Sequence, residues 1–129
     1  MAETNGEVLV VEDDADINEL VGAYAQIAGY DYVAAHDGAE AMEQIRRHSP
    51  SLIVLDLMLP DLDGMEICRR VKSNHETKAI PVIIPTALDG ENSRRDGRQC
   101  GAAAYLTKPF DPDRLMATIA QHAPKNGKH

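Results

Sequence analysis

Two kinds of apolar pattern alternate along this chain. Short aliphatic runs such as Leu52-Ile53-Val54-Leu55 read as strands buried on both faces, and between them apolar residues recur at the three- and four-residue spacing of amphipathic helices. The pattern predicts a strand over Glu7 to Val11 and then a helix over Asp16 to Ala28, with Ile17, Leu20, Val21, Tyr24 and Ile27 on its inner face and Gly29 as its stop. A second strand spans Tyr30 to Ala34. Asp37-Gly38 opens a helix through Ala41, Met42 and Ile45, whose last turn carries Arg46, Arg47 and His48, where basic side chains complement the helix dipole.

Ser49-Pro50 resets the chain into a strand from Leu52 to Asp56. Beyond Pro60-Asp61-Leu62-Asp63-Gly64, the residues Met65, Ile67, Cys68 and Val71 mark a third helix ending near Ser73-Asn74. Strands follow over Ile80 to Ile84 and Ala103 to Leu106. Asp111-Pro112, an N-cap with proline at the first helical position, opens a last helix through Leu115, Met116 and Ile119 that Pro124 ends. The segment Asp89 to Gly101 offers no large apolar residue and contains Gly90 and Gly97, each worth about 1 kcal/mol against a helix relative to Ala. A helix there is expected to be weakly anchored and mobile, with Arg94, Arg95 and Arg98 facing solvent.

Five repeats of strand and helix joined by short connections force an α/β architecture, a parallel sheet with helices on both faces. Every strand then delivers its carboxyl end to one edge, where open α/β sheets carry their chemistry. The 129 residues fit one domain with a core over about 7–123 and flexible tails at 1–6 and 124–129. A formal net charge of -8 argues against direct nucleic-acid binding and against anionic membranes, both of which want a basic face. No run approaches the roughly 20 apolar residues of a membrane span, and the polar, acidic N-terminus lacks the features of a signal peptide, so the expected compartment is the cytoplasm. Cys68 and Cys100 lack metal-type spacing and read as buried or half-buried thiols rather than a disulfide, and the five histidines read as surface residues.

Against this background Asp56 stands out as the only charge in the stretch from Leu52 to Pro60. A turn-capping role alone would account for it about as well as a chemical one. Three other strand ends change that balance: Glu12-Asp13-Asp14 after the first strand, Thr86 after the fourth, and Thr107-Lys108-Pro109 after the fifth. Helix capping would occupy one or two of the first three carboxylates and leave the rest unexplained. Carboxylates converging on one edge invite a hard cation, and Mg2+ accepts a few protein oxygens while keeping several waters. Lys108 adds the opposite charge and Thr86 a hydroxyl donor. Together they form a pocket able to neutralise incoming negative charge, the main requirement of phosphoryl transfer, with Asp56 as the nucleophile. The Lys108-Pro109 bond is a candidate cis peptide. No glycine-rich phosphate loop, Gly-x-Ser-x-Gly elbow or metal-spaced histidine pair competes with this reading.

The segments Val10-Val11-Glu12-Asp13-Asp14, Leu55-Asp56-Leu57-Met58-Leu59-Pro60-Asp61-Leu62-Asp63-Gly64, Thr86-Ala87 and Lys108-Pro109-Phe110 resemble the receiver domain of bacterial two-component response regulators, over about Glu7 to Ala123. The resemblance implies a flavodoxin-like, doubly wound five-stranded parallel sheet of order 2-1-3-4-5 with five helices. It implies that Asp56 accepts a phosphoryl group from a phosphohistidine on a sensor histidine kinase or histidine phosphotransfer protein. Asp13 would hold Mg2+ directly and Glu12 through water, together with Asp56 and the backbone carbonyl of Met58. Thr86 and Lys108 would contact the phosphoryl oxygens, and Tyr105 would rotate as Thr86 moves inward. Such a domain phosphorylates and dephosphorylates itself but is no conventional enzyme. Its signal would be read by a downstream effector or by an output domain elsewhere in a longer chain.

Several positions depart from that pattern. Glu12 stands where Asp is commoner, and Met58 and Leu88 are apolar where the family tunes water access, which implies slow self-dephosphorylation. Gly101-Ala102-Ala103-Ala104-Tyr105 lacks the acidic pair used for dimer salt bridges by winged-helix transcription factors. Pro85 removes an amide from an inner strand, so strand four is expected to stop at Ile84 or the Thr86 loop to be displaced. Two alternatives stay open. One is a Mg2+-dependent phosphohydrolase with an aspartyl-phosphate intermediate, which would carry a second acid two residues after Asp56, where this chain has Met58. The other is a degenerate receiver that binds partners without phosphorylation.

Overall fold

A computed structural model describes residues 6–57, 59–61, 63–86 and 101–123. Strands β1 (Glu7–Val11), β2 (Asp31–Ala35), β3 (Leu52–Leu55), β4 (Val82–Thr86) and β5 (Ala104–Thr107) form one sheet of order β2-β1-β3-β4-β5. All neighbours run parallel. Helices α1 (Ala15–Ile27), α2 (Gly38–His48), α3 (Gly64–Ser73) and α4 (Pro112–His122) are the helices among the described residues. This is a doubly wound, flavodoxin-like fold, in the expected strand order. Of the five expected helices, the one within Asp89 to Gly101 lies almost wholly outside the described residues, as do the two expected tails except for Gly6.

The aliphatic runs are continuous because the sheet is covered on both sides. Leu9, Val11, Ile53, Leu55, Val82 and Ile84 face α2 and α3, while Val8, Val10, Leu52, Val54, Ile83 and Leu106 face α1 and α4. Each fully buried side chain of this size contributes about 1.5–3 kcal/mol relative to exposure. Every one of the described helices starts on an aspartate: Asp14, Asp37, Asp63 and Asp111 accept amide N–H groups of their own first turns. These caps satisfy donors that the helix leaves open and set negative charge at the positive end of the dipole.

The structure moves several expected boundaries. β2 starts at Asp31 and runs through Ala35, and β3 ends at Leu55, with Asp56 just beyond it. β4 starts at Val82 and continues through Pro85 to Thr86, which corrects the expected stop at Ile84. The reason lies in the alternation of backbone groups along a strand. The Pro81 carbonyl accepts from Ile53 of β3, and the Val82 carbonyl accepts from Ala103 beside β5, so Pro85 turns its amide-less nitrogen towards β3. β3 and β4 pair only at Ile53 and Val54, whereas β4 stays in register with β5 through Thr86 opposite Thr107. Proline therefore falls where the β3 ladder has already ended.

Helix α1 keeps Ile17, Val21 and Tyr24 of the expected inner face against the core but corrects the rest of it. Its buried positions are Asn18, Val21, Gly22 and Ala25, while Leu20 and Ile27 are 47% and 69% exposed. Small residues win because the helix lies close to the sheet: a Cβ on Gly22 would come within 2.5 Å of the Tyr32 ring. Cys68, fully buried on α3, is disulfide-bonded rather than a thiol, which corrects that reading. Cys100 lies outside the described residues. His36, His48 and His75 are exposed as expected, and His122 is half-buried.

Gly64 opens α3 directly against the chain leaving β3. A Cβ there would lie 2.5 Å from the Leu57 Cα and 2.6 Å from the Asp56 carbonyl oxygen, both backbone atoms that cannot swing aside. The Gly64→Ala variant is expected to lose at least about 2 kcal/mol of stability, the scale of a forced overpacking. Urea unfolding with an unchanged midpoint would contradict this.

Candidate functional site

The carboxyl edge of the sheet gathers the acidic side chains. β1 ends at Val11 and hands on to Glu12 and Asp13, while β3 ends at Leu55 and hands on to Asp56, whose amide donates to the Val11 carbonyl at 3.0 Å. One carboxylate oxygen each from Glu12, Asp13 and Asp56 lies within 4.8 Å of the others. Glu12 and Asp56 are buried, at 5% and 8% exposure, and Asp13 is open to solvent. Lys108, half-buried after β5, sets its Nζ 3.4 Å from Glu12 Oε1 and 3.6 Å from Asp56 Oδ2. The Lys108-Pro109 peptide is cis, as expected.

Asp14 resolves the ambiguity of the acidic triplet. Its side chain caps α1 through the amides of Asp16 and Ile17 at 3.0 and 3.1 Å, which leaves Glu12 and Asp13 to the edge. Thr86 ends β4 opposite Thr107, so its backbone is at this edge; its side chain and the whole of Met58 lie outside the described residues. Tyr105 is half-buried on β5, packed against the cluster formed with α2 and α3. An all-oxygen set of clustered carboxylates, two of them shielded from water, fits a hard divalent cation such as Mg2+.

Two residues of this edge escaped the sequence reading. Asp61, in the loop after Asp56, accepts the N–H groups of Gly38 and Ala39 at 2.7 and 3.1 Å, so it ties that loop to the start of α2. Asn18 is fully buried beneath the acidic pair, with its amide on three backbone carbonyls. Asp61 had no visible signal, since its partner lies 22 or 23 positions away. Asn18 did have one: an amide at a helix position among apolar neighbours, although the apolar spacing did not include it in the inner face.

Among the described residues, the clustered acids have the Lys108 ammonium to balance them, which leaves the edge short of positive charge. Burial pushes the Glu12 carboxyl up to about 7, helped by the Asp56 charge and an Asp13 hydrogen bond, and opposed by the Asp14 amide and by Lys108. In metal-free protein, the folded chain thus keeps a proton between about pH 4.5 and 7 that the unfolded chain has already released. Stability from this group is present at low pH and is lost as pH rises through that window. The Glu12→Gln variant carries no such proton. In urea unfolding with a chelator, wild type is expected to lose a few kcal/mol relative to Glu12→Gln between about pH 5 and 7.5. Parallel pH profiles for the two proteins would contradict this.

Comparison with known proteins agrees with the geometry. Residues 8–120 match the response regulator receiver domain family. The chain is 39% identical over 112 residues to the DNA-binding dual master transcriptional regulator RpaA of Synechocystis sp., covering 87% of this chain and 46% of that protein. It is 38% identical over 115 residues to the alkaline phosphatase synthesis transcriptional regulatory protein PhoP of Bacillus subtilis, covering 89% of this chain and 47% of that one. The chain thus spans about half the length of these relatives. Among solved structures, the chemotaxis response regulator CheY4 of Vibrio cholerae superposes with a TM-score of 0.84 at 30% identity, over 92% of this chain and 98% of that one. The receiver domain of the Francisella response regulator 1452 gives 0.80 at 34% identity, over 91% and 95%. With its fold, its acidic edge and the match over nearly its whole length, the chain belongs to the receiver domains of two-component response regulators.

Proposed function

We propose that Asp56 is the phosphoacceptor of this receiver and that the carboxyl edge of the sheet is its reaction centre. The observation that carries this is the convergence of Glu12, Asp13 and Asp56 within 4.8 Å, with the Lys108 ammonium 3.6 Å from Asp56. An Asp56 oxygen attacks the phosphorus of a phosphohistidine on a sensor histidine kinase or phosphotransfer protein. The new P–O bond forms as the P–N bond breaks, and the imidazole leaves with a proton from solvent. Glu12, Asp13, Asp56 and the backbone carbonyl of Met58 would hold Mg2+, which when bound neutralises charge on the transferring group. Lys108 exchanges its Asp56 contact for a phosphoryl oxygen, the move that keeps the extra charge compensated. Thr86 donates its hydroxyl to a second phosphoryl oxygen.

The phosphoryl group then shifts a balance between two arrangements of the β4–β5 end of the domain. Thr86 moves inward, and Tyr105 turns into the space beside it, changing the surface that a partner reads. That partner is a downstream effector or an output domain of a longer chain. The relatives matched are about twice as long, and RpaA is named as DNA-binding, so control of a DNA-binding segment is one form the output takes. The acidic receiver itself makes no direct contact with nucleic acid. Among the described residues no helix is long and apolar enough to cross a membrane, and the domain works in the cytoplasm. The family match favours a signalling domain over a phosphohydrolase.

Incubation with acetyl phosphate followed by intact-mass measurement tests the reading. Wild type with Mg2+ is expected to gain one phosphoryl adduct, and neither wild type with chelator nor the Asp56→Asn variant is expected to gain any. No adduct on wild type from acetyl phosphate or from a phosphohistidine donor would replace this reading with that of a degenerate receiver.

A further inference from the structure

The acidic pair leaves β1 at a point where the sheet no longer supports it. β1 and β2 are in register through Val11 opposite Ala35, and the Glu12 amide makes one more bond, to the Ala35 carbonyl at 3.0 Å. Beyond this the Glu12 carbonyl has no strand to pair with, although it lies in the buried interior, where an unmet backbone acceptor is costly. Asn18 meets it from below. Its Nδ2 lies within hydrogen-bond distance of three carbonyls, those of Glu12 and Ala35 at 3.0 Å and of Val10 at 3.1 Å, and shares its two N–H groups among them. Three carbonyl oxygens around one atom allow only a donor there, which fixes the amide orientation. The opposite end, Oδ1, accepts the Tyr32 hydroxyl. Tyr32 reaches it by lying across Gly22, where a Cβ would collide with the ring at 2.5 Å.

We propose that Asn18 is a positioning residue for the cation site, and that Tyr32 keeps its amide in the working orientation. Asn18 touches no carboxylate of the edge. It fixes the backbone of Glu12, and through it the direction in which Glu12 and Asp13 present their oxygens. A site made of clustered acids repels itself, so without a fixed backbone the carboxylates would spread apart when no cation is bound. Holding them together lowers the reorganisation needed when a cation arrives, the usual benefit of preorganised ligands. Gly22, Asn18 and Tyr32 thus act as one unit: the glycine admits the ring, the ring orients the amide, and the amide sets the acidic pair.

This rests on the cation and phosphoacceptor reading, and the test separates the two. Calorimetric titration with Mg2+ gives a dissociation constant for wild type, Asn18→Leu and Tyr32→Phe, and urea unfolding reports whether each is folded. Asn18→Leu keeps the volume but loses every donor, and is expected to weaken Mg2+ binding at least tenfold. Tyr32→Phe loses only the hydroxyl of a half-buried ring and is expected to weaken it about threefold while folding like wild type. In both, the rate of adduct formation from acetyl phosphate should recover at saturating Mg2+, a shift in metal requirement rather than in maximal rate. A merely structural Asn18 would lower the folded fraction and leave the dissociation constant alone. Constants within twofold of wild type in every folded variant would overturn the proposal, and should Asn18→Leu fail to fold, Tyr32→Phe decides. Wild type that binds no Mg2+ and forms no adduct would overturn the underlying reading as well.

Discussion

Everything at the carboxyl edge follows from two buried carboxylates facing each other across the Lys108 ammonium. Glu12 and Asp56 cannot both be charged at low cost: burial first, and the neighbouring Asp56 charge after it, push the Glu12 carboxyl up, and among the described residues Lys108 is the ammonium that opposes them. The fold carries this conflict because each participant is fixed by its own strand. The aliphatic runs of β1 and β3 bury themselves on both faces of the sheet and deliver the acids that follow them to adjacent places. Stability made in the core thus holds together an edge that, left to its own electrostatics, would come apart. On the proposed reading, a bound cation would relieve the conflict and a phosphoryl group would rearrange it.

Much of this was legible in the sequence. Buried parallel strands have a signature that solvent-facing ones lack, and short connections leave little choice of topology. Asp56 was conspicuous for the same reason that it is useful, as a charge at the end of a run that wants none. Lys108 and the acidic pair were legible because strand ends in a parallel sheet share an edge. Less accessible was anything that depends on which side of a helix meets the sheet. In α1 the apolar spacing favoured Leu20 and Ile27, yet Asn18, Gly22 and Ala25 are among the residues inside. Apolar periodicity assumes that packing is won by greasy area. Here it is won by closeness, and an asparagine gains entry by meeting backbone carbonyls that no aliphatic side chain could satisfy.

Pro85 was misjudged for a related reason. A rule about proline in inner strands treats a strand as equally engaged on both sides along its whole length. β4 is not: its early residues bond to β3 and its later ones to β5. Which side a missing amide faces depends on the parity of the position, and parity counts only once the strand start is known. The strand begins at Val82 rather than Ile80, and no propensity argument fixes that boundary.

The uneven bonding of β4 divides the sheet mechanically. β2, β1 and β3 are joined along most of their lengths, and β4 and β5 are likewise joined to each other through Thr86 and Thr107, but only Ile53 and Val54 stitch the two groups together. The seam opens towards the carboxyl edge, with Asp56 on one bank and Thr86 and Lys108 on the other. A two-stranded ribbon hinged at its far end can tilt by small rotations without breaking its own ladder. Across this seam the Lys108 ammonium stands 3.6 Å from Asp56, so an ion pair joins the two banks where the β3–β4 ladder has ended.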